Sequence, residues 1–140
     1  MQLDLAADIR ARYPGAIAFR YGDSAALNAE ILGLVRAGKK TMSCDALAAF
    51  ALRGEPEPEV GRIDIALDWE GKPTLAVRTV KVEHVRFDRM DEARIPPQGE
   101  FRDLDHWRQG YQSYLTRAGH FAPDVMMLVE TFQVIEDFGR

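Results

Sequence analysis

Apolar residues recur with two different periods along this chain, and the switches between those periods mark out its elements. Leu3, Leu5, Ile9 and Tyr13 predict a short helix that Pro14 and Gly15 end, and Ala16 to Phe19 reads as extended. Ser24 is placed to cap a helix in which Leu27, Ile31, Leu34 and Val35 form one apolar stripe up to Gly38, a glycine suited to the left-handed turn that ends helices. A short extended piece from Thr41 to Cys44 follows, and Asp45 is expected to cap a small helix through Leu52. The alternation of Glu and Pro from Glu55 to Glu59 cannot continue a helix, because proline lacks a donor and restricts the residue before it.

Beyond that loop the period changes to two. Ile63, Ile65, Leu67 and Trp69 alternate, Glu70, Gly71 and Lys72 form a turn, and Leu75 and Val77 resume the alternation, which predicts a hairpin. On the second strand the phase slips twice, from Val77 to Val80 and from Val82 to Val85. Two bulges would account for this, and a strand bent twice between Pro73 and Phe87 suits a small closed barrel better than a flat sheet. Pro96 and Pro97 open an irregular stretch up to Asp103, which is expected to cap a helix carrying Leu104, Trp107, Tyr111, Tyr114 and Leu115 on one face before Gly119. Val125 to Ile135 is apolar on both faces around a single charge, Glu130, as in a final, buried strand.

Composition adds limits to this picture. The chain has 140 residues, the size of one domain with a real core, and 46% hydrophobic with 29% charged residues excludes a disordered or collagen-like class. Cys44 is the single cysteine, so no internal disulfide forms and a reducing, cytoplasmic setting is expected. No apolar run reaches the roughly 20 residues that span a bilayer, and Asp4 and Asp8 interrupt the start where a signal peptide would be basic and then apolar. A net charge of -4 argues against wholesale attraction to nucleic acid but leaves room for a local basic face.

Candidate chemistry gathers at Gly38-Lys39-Lys40-Thr41-Met42-Ser43, where two amines and two hydroxyls leave a helix end together. Gly33, Gly38 and Lys39 imitate the start of a phosphate-binding loop, but position 40 is lysine where that loop needs a hydroxyl for magnesium, and the glycines lie in and after a helix. Cations at a helix carboxyl end are also stabilising in their own right, which is a sufficient reason for Lys39. His84, His106 and His120 have no short ligand spacing, so no resident metal or other cofactor is expected; a transient magnesium ion carried in with phosphate would need few protein ligands.

Taken in order, several segments resemble the ASCH domain family, a branch of the PUA-like β-barrel folds. Phe19 to Ser24 resembles its aromatic-x-x-Gly-Asp-Ser entry, Leu32 to Thr41 its helix ending in Gly-Lys-Lys-Thr, and Glu57 to Gly61 its approach to the first barrel strand. Gly99-Glu100, Leu104 to Arg108 and Glu130 to Val134 are similar to its Gly-Glu, Leu-Glu-aromatic-Trp-Arg and Glu-x-Phe-x-Val segments. The resemblance implies an α+β fold, a PUA-like small mixed β-barrel of five or six strands flanked by helices, over 19–140, with 1–18 as a helical extension.

It also implies a role with single-stranded RNA or modified nucleosides, as an RNA-binding module, a ribonuclease, or an amidohydrolase that deacylates N4-acetylcytidine. The amidohydrolase members are similar at a lysine, a hydroxyl three residues later and a distant glutamate, which fall on Lys40, Ser43 and Glu100, with serine here where those members carry threonine. A serine hydroxyl needs a base or a cation beside it to react at neutral pH, and Lys40 is suited to either task; Glu100 would pass the proton to a leaving amine. In the ribonuclease alternative Lys40 binds phosphate and Ser43 positions the chain. Lys39, Thr41, Tyr21, Trp107 and Ser113 are the further ligand-binding candidates, with Trp69, Phe87 and Tyr111 as aromatic surfaces that serve either a base or the core.

Overall fold

The computed structural model describes residues 6–139. Leu3, Leu5 and Asp4, on which part of the first helix and the signal-peptide argument rested, lie outside the described residues. The elements are α1 (Ala7–Arg12), β1 (Ile17–Arg20), α2 (Ala25–Arg36), β2 (Met42–Ala46), α3 (Leu47–Arg53), β3 (Ile63–Leu67), β4 (Pro73–Arg86), α4 (Leu104–Ala118) and β5 (Met126–Asp137), with short 3-10 turns between Phe87 and Gln98.

All five strands belong to one sheet in the order β1-β3-β4-β5-β2. β1 runs parallel to β3, and the other neighbours are antiparallel. The sheet curls into a half-barrel. Closure would require β1 and β2 to pair, and these are its two edges. Of the two expected bulges, one is present. Val80 is skipped where Thr79 faces Phe132 and Lys81 faces Thr131, as the first slip in phase requires. From Lys81 to Arg86 the pairing runs residue for residue, so the second slip, at Val82 to Val85, is not a bulge. A further irregularity lies instead near Ala76, where β5 carries the extra residue, Ile135.

Two other expectations are corrected. Asp45 does not cap α3: it belongs to β2, and Ala46 occupies the cap position without a side-chain acceptor. Trp69 lies beyond the end of β3 in the hairpin turn and is 43% exposed, because Asp68 Oδ1 takes the amides of Glu70 and Lys72 and turns the chain early.

The curled sheet is covered on both faces. Ile31, Leu32 and Val35 of α2 pack with Ala66, Leu75, Val77 and Phe132 on one side. Trp107 and Leu115 of α4 pack with Met42, Ala46, Met127, Val129 and Phe87 on the other. Ile9 of α1 packs against Ile65, Leu67 and Ala76, so β3 is buried on both faces, and its burial no longer alternates.

Candidate functional site

The site is built where α2 ends. Ser24 Oγ accepts the amide of Leu27 at the amino end of α2, and the carboxyl end closes at Gly38, whose φ is 76°. The amides of Gly38 and Lys39 return to the carbonyls of Val35 and Leu34 at 3.0 and 2.9 Å, the paired bonds of a Schellman turn. This reversal leaves Lys39 exposed and sends Lys40 inward, where it is only 4% exposed.

An ammonium buried so fully needs a partner for each hydrogen. Lys40 Nζ has three: Glu100 Oε2 at 2.6 Å, Met42 O at 2.8 Å and Gln98 O at 3.2 Å. The loop that supplies two of them is packed directly on the lysine backbone. Thr41 N donates to Pro97 O at 2.7 Å, and a Cβ on Gly99 would stand 2.8 Å from Lys39 O, so only glycine, with its φ of 76°, permits the approach. Gln98 is wholly buried: its carbonyl holds Lys40, its side-chain oxygen accepts Trp107 Nε1 at 2.9 Å, and its amide donates to Arg94 O.

Around this pair lie Tyr111, whose hydroxyl donates to Cys44 O at 3.0 Å, and Tyr21. Burial raises both phenols well above the ordinary value, and the negative charges of Glu130, Asp64 and Glu100 add to the effect on Tyr21, so both stay protonated donors. Burial also pushes the Cys44 thiol up to about 12, against the opposing charge of Lys40, which keeps it an unreactive packing group.

Of the residues singled out above, Lys40 and Glu100 touch. Tyr21 lies within electrostatic range of Glu100. Thr41 serves through its backbone. Trp107 is fully buried and supports the site from behind through Gln98, with no face open to a base; Phe87 is likewise in the core. Ser113 lies on the exposed side of α4, where its Oγ accepts Arg117 Nη1 at 2.8 Å. Ser43 is half-buried on β2, and its hydroxyl makes no hydrogen bond to Lys40 or Glu100 among the described residues.

Sequence reasoning did not assign roles to Gln98, Thr79 or Glu130. Ser43 faces Glu130 directly across β2 and β5, and Thr79 Oγ1 donates to Glu130 Oε2 at 2.6 Å. Burial raises the Glu130 carboxyl above its ordinary value, with the Thr79 bond opposing. The signals for Glu130 were a charge standing alone in an apolar run and its place at the head of the Glu-x-Phe-x-Val segment. Among the described residues no cluster of three or more His, Cys, Asp or Glu side chains could hold a metal, and no helix is long and apolar enough to cross a membrane.

The family model of the ASCH domain matches residues 17–136, and the chain therefore belongs to the ASCH domain family. An ASCH domain from Lactobacillus crispatus has a similar structure, with TM-score 0.79 and 21% identity over 93% of this chain and 86% of that one. A protein from Enterococcus faecalis superposes with TM-score 0.78 and 24% identity over 94% and 86% of the two chains. A variant of an ASCH protein from Zymomonas mobilis is more distant, at TM-score 0.52 and 11% identity over 88% and 73%. At these identities the likeness is one of fold. No curated protein matches the chain.

Proposed function

We propose that this ASCH domain binds a pyrimidine nucleoside, free or within single-stranded RNA, beside the Lys40–Glu100 pair and hydrolyses an acyl group from its exocyclic amine, as on N4-acetylcytidine. The observation that carries the reading is the 2.6 Å contact between a sealed ammonium and a carboxylate that still reaches solvent. Such a pair fixes a part-exposed carboxylate in one position, where it can exchange a proton with a bound amine. In this reading Ser43 supplies the attacking oxygen, the amide nitrogen leaves with a proton delivered by Glu100, and water then releases the acyl group from Ser43.

A second reading, a binding module without turnover, is favoured by a specific fact: all three hydrogens of Lys40 are engaged, and its amine has no hydrogen bond to Ser43. Incubation with N4-acetylcytidine and with single-stranded RNA, followed by product analysis, separates the two. Release of acetate and cytidine, lost in Ser43→Ala and Glu100→Gln by a factor on the order of 100, is the expected result. Intact acetylcytidine together with salt-dependent retention of RNA would establish the binding module, and shortened RNA would establish a ribonuclease.

A further inference from the structure

Ser43, Glu130 and Thr79, from three adjacent strands, share one face of the half-barrel. Ser43 on β2 faces Glu130 on β5, and Glu130 in turn faces Val82 on β4, next to the bulge that follows Thr79. Directly opposed residues on antiparallel strands carry their Cβ atoms on the same face at about 4.5–5.5 Å, within reach of a glutamate and a serine. Thr79 holds Glu130 by Oε2, while Oε1 takes no hydrogen bond among the described residues. Neither Ser43 nor Glu130 is sealed, so both are open to a ligand on this face.

Lys40 is poorly placed to serve as base for this serine. Its nitrogen carries three hydrogens, each donated to an oxygen, and it offers no lone pair. Lys40 thus offers the hydroxyl of Ser43 no base. The carboxylate facing it is that of Glu130.

We propose that Glu130 is the general base that activates Ser43, a carboxylate separate in task from Glu100. This rests on the deacylase reading above. As the Ser43 Oγ–carbonyl carbon bond forms, the hydroxyl proton passes to Glu130 Oε1 and the carbonyl pair moves to oxygen. As the carbon–nitrogen bond breaks, the amine leaves with a proton that Glu100 relays from the Lys40 ammonium. Glu130 then gives the serine proton to solvent and Lys40 takes one back, so both groups are restored. In the second half a water gives a proton to Glu130 as its oxygen bonds the ester carbon, and Glu130 passes that proton to Ser43 Oγ as the ester bond breaks and the carboxylic acid leaves. Thr79 fixes the carboxylate rotamer and touches no reacting atom. It is a positioning residue.

The test uses the full chain and two readouts. Phenylmethylsulfonyl fluoride transfers its sulfonyl group to an activated serine with loss of fluoride, and peptide mapping by mass spectrometry gives the rate at Ser43 itself. Turnover of N4-acetylcytidine is measured in parallel. Glu130→Gln keeps an oxygen for Thr79 but accepts no proton. It is expected to slow both sulfonylation of Ser43 and turnover by a factor on the order of 100, with an unchanged melting temperature. Thr79→Val, which keeps the carboxylate and loses its tether, is expected to slow both by a smaller factor and covers the case in which Glu130→Gln does not fold. Equal sulfonylation in the parent and both variants would overturn the inference, as would a parent in which Ser43 is not labelled. Glu130-dependent labelling without turnover of acetylcytidine would leave the Ser43–Glu130 pair standing and remove the substrate reading.

Discussion

In the Lys40–Glu100 pair the cation is the sealed partner, 4% exposed against 24% for the carboxylate, whereas in the Arg62–Asp64 pair the anion is sealed, 9% against 22%. The inversion has consequences for satisfaction. An ammonium has three hydrogens, and the fold supplies three oxygens, two of them backbone carbonyls. A carboxylate has two oxygens to satisfy, and Arg62 directs Nε and Nη2 to the same one, Oδ2, while its Nη1 goes to the carbonyls of Pro56 and Glu57, leaving Oδ1 of Asp64 buried without a hydrogen bond. A buried charge that is fully paired organises the loop around it. One that is half paired is a cost the fold carries.

The comparison breaks most readily at Lys40. Lys40→Met strands Glu100 and two carbonyls and is expected to destabilise the domain by about 3 to 5 kcal/mol, read from urea unfolding. A loss under about 1 kcal/mol would mean that the pair organises nothing. Next in size is Gly99→Ala, expected to cost about 1 to 3 kcal/mol from its left-handed backbone, together with the 2.8 Å approach to Lys39 O. Thermal unfolding measures it, and the Lys40 contacts should loosen with it.

At Asp64 the expected sign differs. Burial holds this carboxyl above its ordinary 3.8, with Arg62 opposing, so the folded chain binds the proton more tightly than the unfolded chain does. Its contribution is therefore most favourable below pH 3.8 and declines as pH rises through the folded value. Asp64→Asn should gain on the parent over that window, measured as unfolding free energy at a series of pH values. A parallel displacement at every pH would contradict the assignment. The smallest effect belongs to Lys39→Ala. Its amine is exposed at the end of α2, and less than about 1 kcal/mol is expected, with no change in nucleoside turnover.

Local chemistry was the most legible part of the sequence. Ser24, Asp103, Gly38 and Gly119 act as helix signals through groups within a few residues of themselves, and each stands at the expected end. The bend at Val80 was readable for the same reason, since alternation registers a skipped residue directly. Closure of the sheet was not readable, because it depends on whether two strands far apart in the chain meet. The partnership of Lys40 with Glu100 came from family resemblance. Spacing alone does not reveal that a helix-end lysine turns inward, a step that depends on the Schellman reversal and the Gly99 approach together. The face of Trp107 illustrates the limit: helical spacing marks it as buried or as ligand-facing equally well, and the choice is made by Gln98 across the interface.

The sheet order also sets a timetable. β2, which carries Ser43, has a single strand neighbour, β5, and the residues they pair, such as Met42 with Thr131 and Ala46 with Met127, lie more than eighty positions apart. The β3–β4 hairpin can form from residues already adjacent, but β2 must wait for the last strand in the chain before it has a ladder to join. On the ribosome, the hairpin and its helices can therefore assemble while Ser43 is still without Glu130 opposite it. The face that carries Ser43 and Glu130 is therefore completed only when β5 has been made.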